Sequence, residues 1–343
     1  MPPDVRRPAA ALTCACLALA TPVVVVAAAK RSWAQPEINV VTSRGLMGGD
    51  PATFRPDAPL TRAALDDLVA GLTATTPVAS GEPSAPVTVA ALDQSLVRAV
   101  DLSDDARLFT AGMRAAGVRP PARFGTEIVA RLLGLRTNHP AREDALELLP
   151  SDTATRAEGA YSAAQILRLP DGATRRVESL AAGFWLPQYT PWQRKILQAA
   201  VNLIGYPYVW GGTSATTQTL FGVTSRGGFD CSGYVWRVYK LQRYPGGEAL
   251  AGTIKGRTTA QMAGEVPKIE RIAFAELEPG DAMFFGKGGR RARPSAVDHA
   301  GIYLGGGWMI NSSRDGVALA PVQGWYVQRF AWGRRPLAEA GLG

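Results

Sequence analysis

The 343-residue chain has three cysteines and two histidines, so thiol and imidazole chemistry has few possible sources. Cys14 and Cys16 fall in an apolar N-terminal stretch. Cys231 stands in Phe229-Asp230-Cys231-Ser232-Gly233-Tyr234, followed by Val235, Val238, Tyr239 and Leu241 at helical spacing and by the stop Pro245-Gly246-Gly247. This pattern predicts a helix that starts at the thiol, where the positive end of the helix dipole favours thiolate over thiol. A nearby base would complete an activated nucleophile. His139, in the turn Asn138-His139-Pro140, reads as a solvated loop residue, whereas His299 lies in Val297-Asp298-His299-Ala300-Gly301-Ile302-Tyr303-Leu304, which reads as a strand. Gly305-Gly306-Gly307 and Trp308-Met309-Ile310-Asn311 then predict a hairpin with a three-residue turn. In that register Asn311 faces Gly301 and shares a sheet face with His299, diagonal to it, where a side-chain amide can hold the imidazole in one tautomer. A two-residue turn would reverse the parity. Cys231, His299 and Asn311 therefore read as nucleophile, base and orienting group. The plain alternative for the cysteine is a buried packing residue.

Structural roles are expected for most of the surrounding residues. Trp210, in the aromatic turn Tyr206-Pro207-Tyr208-Val209-Trp210-Gly211-Gly212, reads as a core side chain, as can Tyr208. Asp230 precedes the helix and suits its N-cap. Asp298 points to the strand face opposite His299 and stays outside the triad. Asp281, after Pro279-Gly280, shapes a turn before a buried strand, and Arg226 reads as solvated. Upstream, Thr190-Pro191-Trp192-Gln193 is a helix start, and Ile196, Leu197, Ala200, Val201 and Ile204 form its apolar face before Gly205. Two histidines and scattered carboxylates give no metal-ligand cluster, and no cofactor is expected. Three cysteines exclude zinc fingers, iron–sulfur clusters and a dense disulfide framework.

These elements sit in a chain that is 46% apolar and 19% charged, a globular composition, with a net charge of +8 that favours anionic partners. Residues 1–34 read as an export signal: Arg6 and Arg7, an apolar run through Val23-Val24-Val25-Val26, then small residues with candidate cleavage after Ala29 or Ala34. Removal leaves no membrane span and one cysteine, Cys231. Exported proteins usually use cysteines in pairs, so a single thiol there asks for a chemical reason. The remainder divides into a helical half, 35–180, and a tryptophan-rich half, 185–343. The first half repeats one phrase: Pro59-Leu60-Thr61-Arg62-Ala63-Ala64-Leu65, Pro86-Val87-Thr88-Val89-Ala90-Ala91-Leu92 and, weaker, Ala154-Thr155-Arg156-Ala157-Glu158. Each predicts a threonine-capped helix, and Thr155 with Glu158 has the spacing of a capping box.

Four motifs of the second half, in order, resemble the NlpC-type cell-wall peptidases, papain-like cysteine hydrolases of bacterial peptidoglycan. They are Tyr208-Val209-Trp210-Gly211-Gly212, Phe229-Asp230-Cys231-Ser232-Gly233, Pro279-Gly280-Asp281-Ala282-Met283-Phe284-Phe285 and His299-Ala300-Gly301-Ile302-Tyr303-Leu304-Gly305. The resemblance implies an α+β fold, with the cysteine helix on an antiparallel sheet, and Cys231, His299 and Asn311 as catalytic residues. It also implies Tyr208 lining the site and Asp230 and Ser232 receiving the free amine end of a short stem peptide. The third catalytic position is often His in that family and is Asn311 here; the connection from Gly212 to Gly228 also looks longer than the compact family version. The implied activity is cleavage of a stem-peptide amide, next to D-glutamate, through a thioester. A non-catalytic wall-binding protein and an acyl transferase on the same fold remain alternatives.

The first half is similar to the S-layer homology repeat, most clearly in Gly45-Leu46-Met47-Gly48-Gly49 and in the run from Thr53 through Phe54-Arg55-Pro56-Asp57 to Ala63. Such repeats pack in threes and hold anionic wall polysaccharide, so the resemblance implies a second partner at the cell wall. A plain Ala-rich bundle whose caps look alike is the other reading. Nucleic acid is not an expected partner, and the expected location is secreted, at the cell wall.

Overall fold

Three threonines organise the first half. In the computed structural model, which describes residues 31–343, the helices are α1 (Gln35–Ser43), α2 (Arg62–Thr73), α3 (Val89–Ala99), α4 (Ser103–Ala115), α5 (Phe124–Leu132), α6 (Arg156–Leu167) and α7 (Ala173–Ala182). The expected export segment with Cys14 and Cys16 lies outside the described residues, apart from its last few positions. Thr61, Thr88 and Thr155 are extended N-caps whose hydroxyls accept from the backbone N–H of Ala64, Ala91 and Glu158. The residues just before them close a ring. Leu60 N–H donates to Ala154 C=O at 2.8 Å, Ala154 N–H to Val87 C=O at 2.8 Å, and Val87 N–H to Leu60 C=O at 2.9 Å. All three side chains are fully buried. The repeated phrase is thus a threefold junction in which each copy satisfies the next copy's backbone. Its spacing in sequence is irregular because α4 and α5 are inserted between the second and third copies.

Behind this junction lies a buried polar cluster. Arg136 stands 2.9 Å from Glu158 and 3.9 Å from Asp93, and Arg131 pairs with Glu127 at 3.2 Å. Burial raises the Asp93 carboxyl to about 7, against the pull of Arg136. His139, expected in solvent, is buried here. Its Nδ1 is 3.0 Å from Glu147 Oε1, and its ring meets Trp33 edge-on at 4.6 Å. The turn after Pro140 folds Glu147 back onto the histidine, a pairing that a short polar turn does not reveal. Burial opposes the charged ring, but Glu147 outweighs it and raises the His139 pKa.

The second half begins with α8 (Pro191–Asn202), where Thr190 and Gln193 make a reciprocal capping box. Two short hairpins follow: β1 (Thr213–Ser214) pairs with β4 (Gly228–Phe229) around β2 (Gln218–Leu220) and β3 (Val223–Ser225). Next come α9 (Cys231–Trp236), widened into a π turn over Arg237–Leu241, α10 (Leu250–Thr253) and α11 (Thr259–Gly264). The sheet contains β5 (Ala282–Gly286), β6 (Val297–Gly305), β7 (Trp308–Ser313), β8 (Gly316–Pro321) and β9 (Phe330–Arg334), in the order β8-β7-β6-β5-β9, all antiparallel. α12 (Trp325–Arg329) crosses between β8 and β9, and α13 (Pro336–Glu339) ends the chain. The fold is α+β, with α9 packed on β6. No helix of the described residues is long and apolar enough to cross a membrane.

Trp33–Gly343 form one compact unit with a continuous apolar core. Phe109 of α4, Phe184 and Trp308 of β7 meet with ring centroids 5.1–5.8 Å apart. Arg123 and Arg131 donate to the backbone carbonyls of Ile204 and Gly205 at 2.9 Å. The helical elements therefore support the segment that leads into the aromatic turn.

Register decides the site. Gly301 pairs with Asn311, Ile302 with Ile310 and Tyr303 with Met309, but the hairpin closes with Gly305 opposite Trp308. The turn is one residue shorter than expected. A register shift between Tyr303 and Gly305 restores the parity, so Asn311 still faces Gly301.

Candidate active site

Asp230 is the N-cap of α9 and accepts from the Gly233 N–H, which places Cys231 in the first turn. The Cys231 Sγ is 3.9 Å from the Asp298 carbonyl oxygen and lies against the Ala300 backbone, so it rests beside the two residues that flank His299. The first turn of α9 also approaches the Gly211-Gly212 turn closely: a Cβ at Gly233 would stand 1.8 Å from the Gly212 carbonyl oxygen. The dipole expectation needs correction. Burial, and then the Asp230 carboxylate, push the Cys231 thiol up to about 12, and the short helix does not offset them. The resting sulfur is a thiol.

His299 turns Nε2 toward Asn311 Oδ1 at 3.1 Å. Asn311 is buried, and the Tyr326 hydroxyl donates to the same Oδ1 at 3.4 Å. Two donors on one amide oxygen fit Nε2 carrying the proton, which leaves Nδ1 as the basic atom. Phe285, Tyr326 and Trp325 enclose the ring at 5.7, 6.0 and 6.1 Å. Burial lowers the His299 pKa to about 4, against the Asn311 bond that raises it. The imidazole is therefore neutral at pH 7. Asp298 faces away and pairs with Arg329, as its strand parity requires.

Tyr208 is half-buried next to this pair. Burial raises its phenol pKa, and so does the nearness of Cys231 and Asp230. Its carbonyl accepts from Asn138 Nδ2 of the helical half at 2.9 Å. Asp230 and Ser232 are tied together by Arg257, a residue that the sequence analysis did not single out. Arg257 Nη1 donates to Asp230 Oδ1 at 3.1 Å and to Ser232 Oγ at 2.7 Å, and its Nη2 to Asp230 Oδ2 at 3.1 Å and Gly211 C=O at 2.9 Å. Trp210, expected in the core, is 58% exposed. Gly211 at φ 77° turns the chain there, and the indole is left outside. Arg226 pairs at 3.3 Å with Asp152 of the helical half and remains largely exposed.

A partly exposed thiol against the backbone on either side of a neutral imidazole, with an amide on the ring's Nε2, is an arrangement that can serve nucleophile–base–orienter chemistry. Residues 205–335 match the NlpC/P60 family. This part of the chain is an NlpC/P60 domain. Residues 28–65 match the S-layer homology domain.

The NlpC/P60 domain is 35% identical over 130 residues to a probable endopeptidase p60 of Listeria monocytogenes, covering 38% of this chain and 21% of the relative. It is 30% identical over 129 residues to a gamma-D-glutamyl-L-lysine dipeptidyl-peptidase of Bacillus subtilis, covering 36% and 33%. It is 33% identical over 132 residues to the bifunctional muramidase/DL-endopeptidase CwlT of Bacillus subtilis, covering 38% and 32%. The chain spans between 21% and 33% of the length of these relatives.

Two residues that bond to the candidate site residues come from elements distant in sequence. Arg257 stands just before the capping box Thr258-x-x-Gln261, visible in sequence as a helix start but not as a neighbour of Asp230. Tyr326 lies in α12, and only the aromatic pair Trp325-Tyr326 marks it.

Proposed function

We propose that the protein is a peptidoglycan hydrolase that cleaves an amide of the stem peptide through Cys231, His299 and Asn311. The observation that carries this reading is the placement of the Cys231 sulfur against the backbone on either side of a neutral His299 whose Nε2 is held by Asn311. When the carbonyl carbon approaches, the thiol proton passes to His299 Nδ1 as the sulfur attacks. The same nitrogen then gives that proton to the departing amine as the C–N bond breaks, leaving a thioester on Cys231. Water, deprotonated by His299, hydrolyses the thioester and releases a carboxylic acid. Asn311 keeps the ring in the tautomer that both steps need. Because the resting pair is neutral, the ion pair forms only as the substrate arrives.

The bond next to D-glutamate is the preferred target. Support comes from a relative named for gamma-D-glutamyl-L-lysine and another named a DL-endopeptidase. Arg257 occupies both Asp230 oxygens, so Asp230 and Ser232 act on a stem peptide through this charged frame and not as a bare carboxylate awaiting an ammonium. The S-layer homology match supports export to the cell wall and retention there on anionic polysaccharide. Arg55, exposed with φ 53°, and Arg62, beside the Thr61 cap, are the cations offered to that polymer.

Digestion of purified peptidoglycan followed by mass analysis of the products tests the reading. New termini at the D-glutamyl bond support it; intact stem peptides after prolonged incubation contradict it. For the polymer, the full chain carrying Cys231→Ala should sediment with cell walls at low salt, and Arg55→Ala with Arg62→Ala should reduce the bound fraction.

A further inference from the structure

Phe221 and Gly222 make the turn of the β2–β3 hairpin, with Leu220 paired to Val223 across it. Both turn residues have positive φ, 51° and 81°. Glycine, asparagine and aspartate take such positions in a two-residue hairpin turn easily, and a bulky ring does not. Phe221 therefore strains the turn, and core packing does not offset the strain, because the residue is 82% exposed. Strain kept without a packing reason is a mark of ligand clamps. Resting on the hydrolase reading above, we propose that Phe221 and the exposed Trp210 form a platform for a sugar ring of the glycan strand, so that the enzyme favours stem peptides still attached to their glycan.

Contacts tie the platform to the site. A Cβ at Gly211 would stand 3.0 Å from Phe221 Cε2, so the edge of the ring rests on the same turn that leaves the Trp210 indole outside. The Gly211 N–H donates to Asp230 Oδ2 at 3.0 Å, and Asp230 adjoins Cys231. In peptidoglycan the stem peptide hangs from its sugar by its amino end. Cleavage beside D-glutamate leaves that end on Cys231 as the acyl group. The sugar then stays within a short peptide's reach of the sulfur, about 3.5 Å for each extended residue.

The surroundings of the two rings suit a sugar. Hydroxyls cover the hairpin: those of Thr219 and Thr224 meet at 2.8 Å, and those of Ser214 and Thr216 at 3.1 Å. The cations that border it are committed, Arg226 to Asp152 and Arg257 to Asp230. An acyl chain or an apolar protein face laid over the rings would cover these hydroxyls without giving them partners. A pyranose instead presents C–H groups to the negative face of an aromatic ring and its own hydroxyls to those around it. The free amine end of a released peptide has no counterpart there, since Arg257 occupies both Asp230 oxygens.

The test compares two soluble substrates with the same stem peptide, one free and one carried on an N-acetylglucosaminyl-N-acetylmuramyl disaccharide. Turnover is measured with the unaltered enzyme, and binding by calorimetry with the full chain carrying Cys231→Ala. The sugar-bearing peptide should be favoured about tenfold in kcat/KM and in affinity. Phe221→Asn, in either background, should bring both ratios close to one and raise the melting temperature, because asparagine suits the turn. Trp210→Ala should lower the ratios as well. Ratios near one before any platform substitution, ratios that survive Phe221→Asn, or a melting temperature that falls in that variant overturn the inference. So does binding to phosphatidylglycerol vesicles that Phe221→Asn abolishes, without any preference for the sugar. Absence of turnover on both substrates overturns the hydrolase reading instead, and the binding ratio then decides the platform.

Discussion

His299 Nε2 and Asn311 Oδ1 are 3.1 Å apart across two paired strands, and the Tyr326 hydroxyl reaches the same oxygen from α12. The contact depends on a register shift that compensates a shortened hairpin turn. Asn311 therefore orients the ring without holding a charge. His299→Ala should lower kcat by about 10²- to 10⁴-fold, the usual range for a lost general base. Asn311→Ala should cost less, because Tyr326 and the aromatic walls still confine the ring. Steady-state kinetics on a soluble stem peptide checks the order; equal losses would show that Asn311 does more than orient.

Titration of His299 gives an independent check. Burial lowers its folded pKa to about 4, below the ordinary value of 6.5. The unfolded chain then binds the proton first, so this group withdraws stability as pH falls from 6.5 towards 4 and adds no pH dependence above that window. NMR of the Cys231→Ala protein should find the ring neutral down to about pH 4. A midpoint near 6.5 or above would contradict the enclosed site.

Arg257 ties Asp230, Ser232 and the Gly211 carbonyl together, with its side chain 30% exposed and that of Asp230 13% exposed. Arg257→Ala should cost about 1–3 kcal/mol of stability, as expected for charge-assisted bonds at a partly exposed site. Activity should fall further than folding accounts for, since the frame beside Cys231 loosens. Arg257→Lys should restore charge but not the forked geometry, and so only part of the activity. Thermal melts and kcat/KM measured side by side distinguish these outcomes.

Much of this site was legible in the sequence because local rules fixed it. The threonine caps, the Thr190 capping box, the Cys231 helix start and the strand parity of His299, Asp298 and Asn311 all follow from neighbours within a few residues. What escaped depends on distant contacts. His139 is buried because Glu147 folds back onto it beside Trp33, and Trp210 is exposed because Gly211 turns the chain outward. Arg257 meets Asp230 only once α11 has packed beside α9. The dipole argument for Cys231 failed because it considered the helix end and not the burial around it.

The shared core predicts joint melting of the two halves. Phe109, Phe184 and Trp308 pack in one cluster with core residues on both sides. Phe109→Ala should cost about 3–5 kcal/mol and lower a single calorimetric transition. Two separated transitions, with the sheet unaffected, would show independent halves.

The account turns on Cys231 as the nucleophile, and the direct measurement is turnover of a soluble stem peptide by Cys231→Ser together with its melting temperature. The substitution keeps the shape of the side chain at the start of α9 and removes the sulfur. The account predicts a loss of activity of at least about 10³-fold with a melting temperature close to that of the unaltered protein. Activity retained within tenfold, or a melting temperature that collapses along with it, would contradict the assignment and return Cys231 to the role of a packing residue.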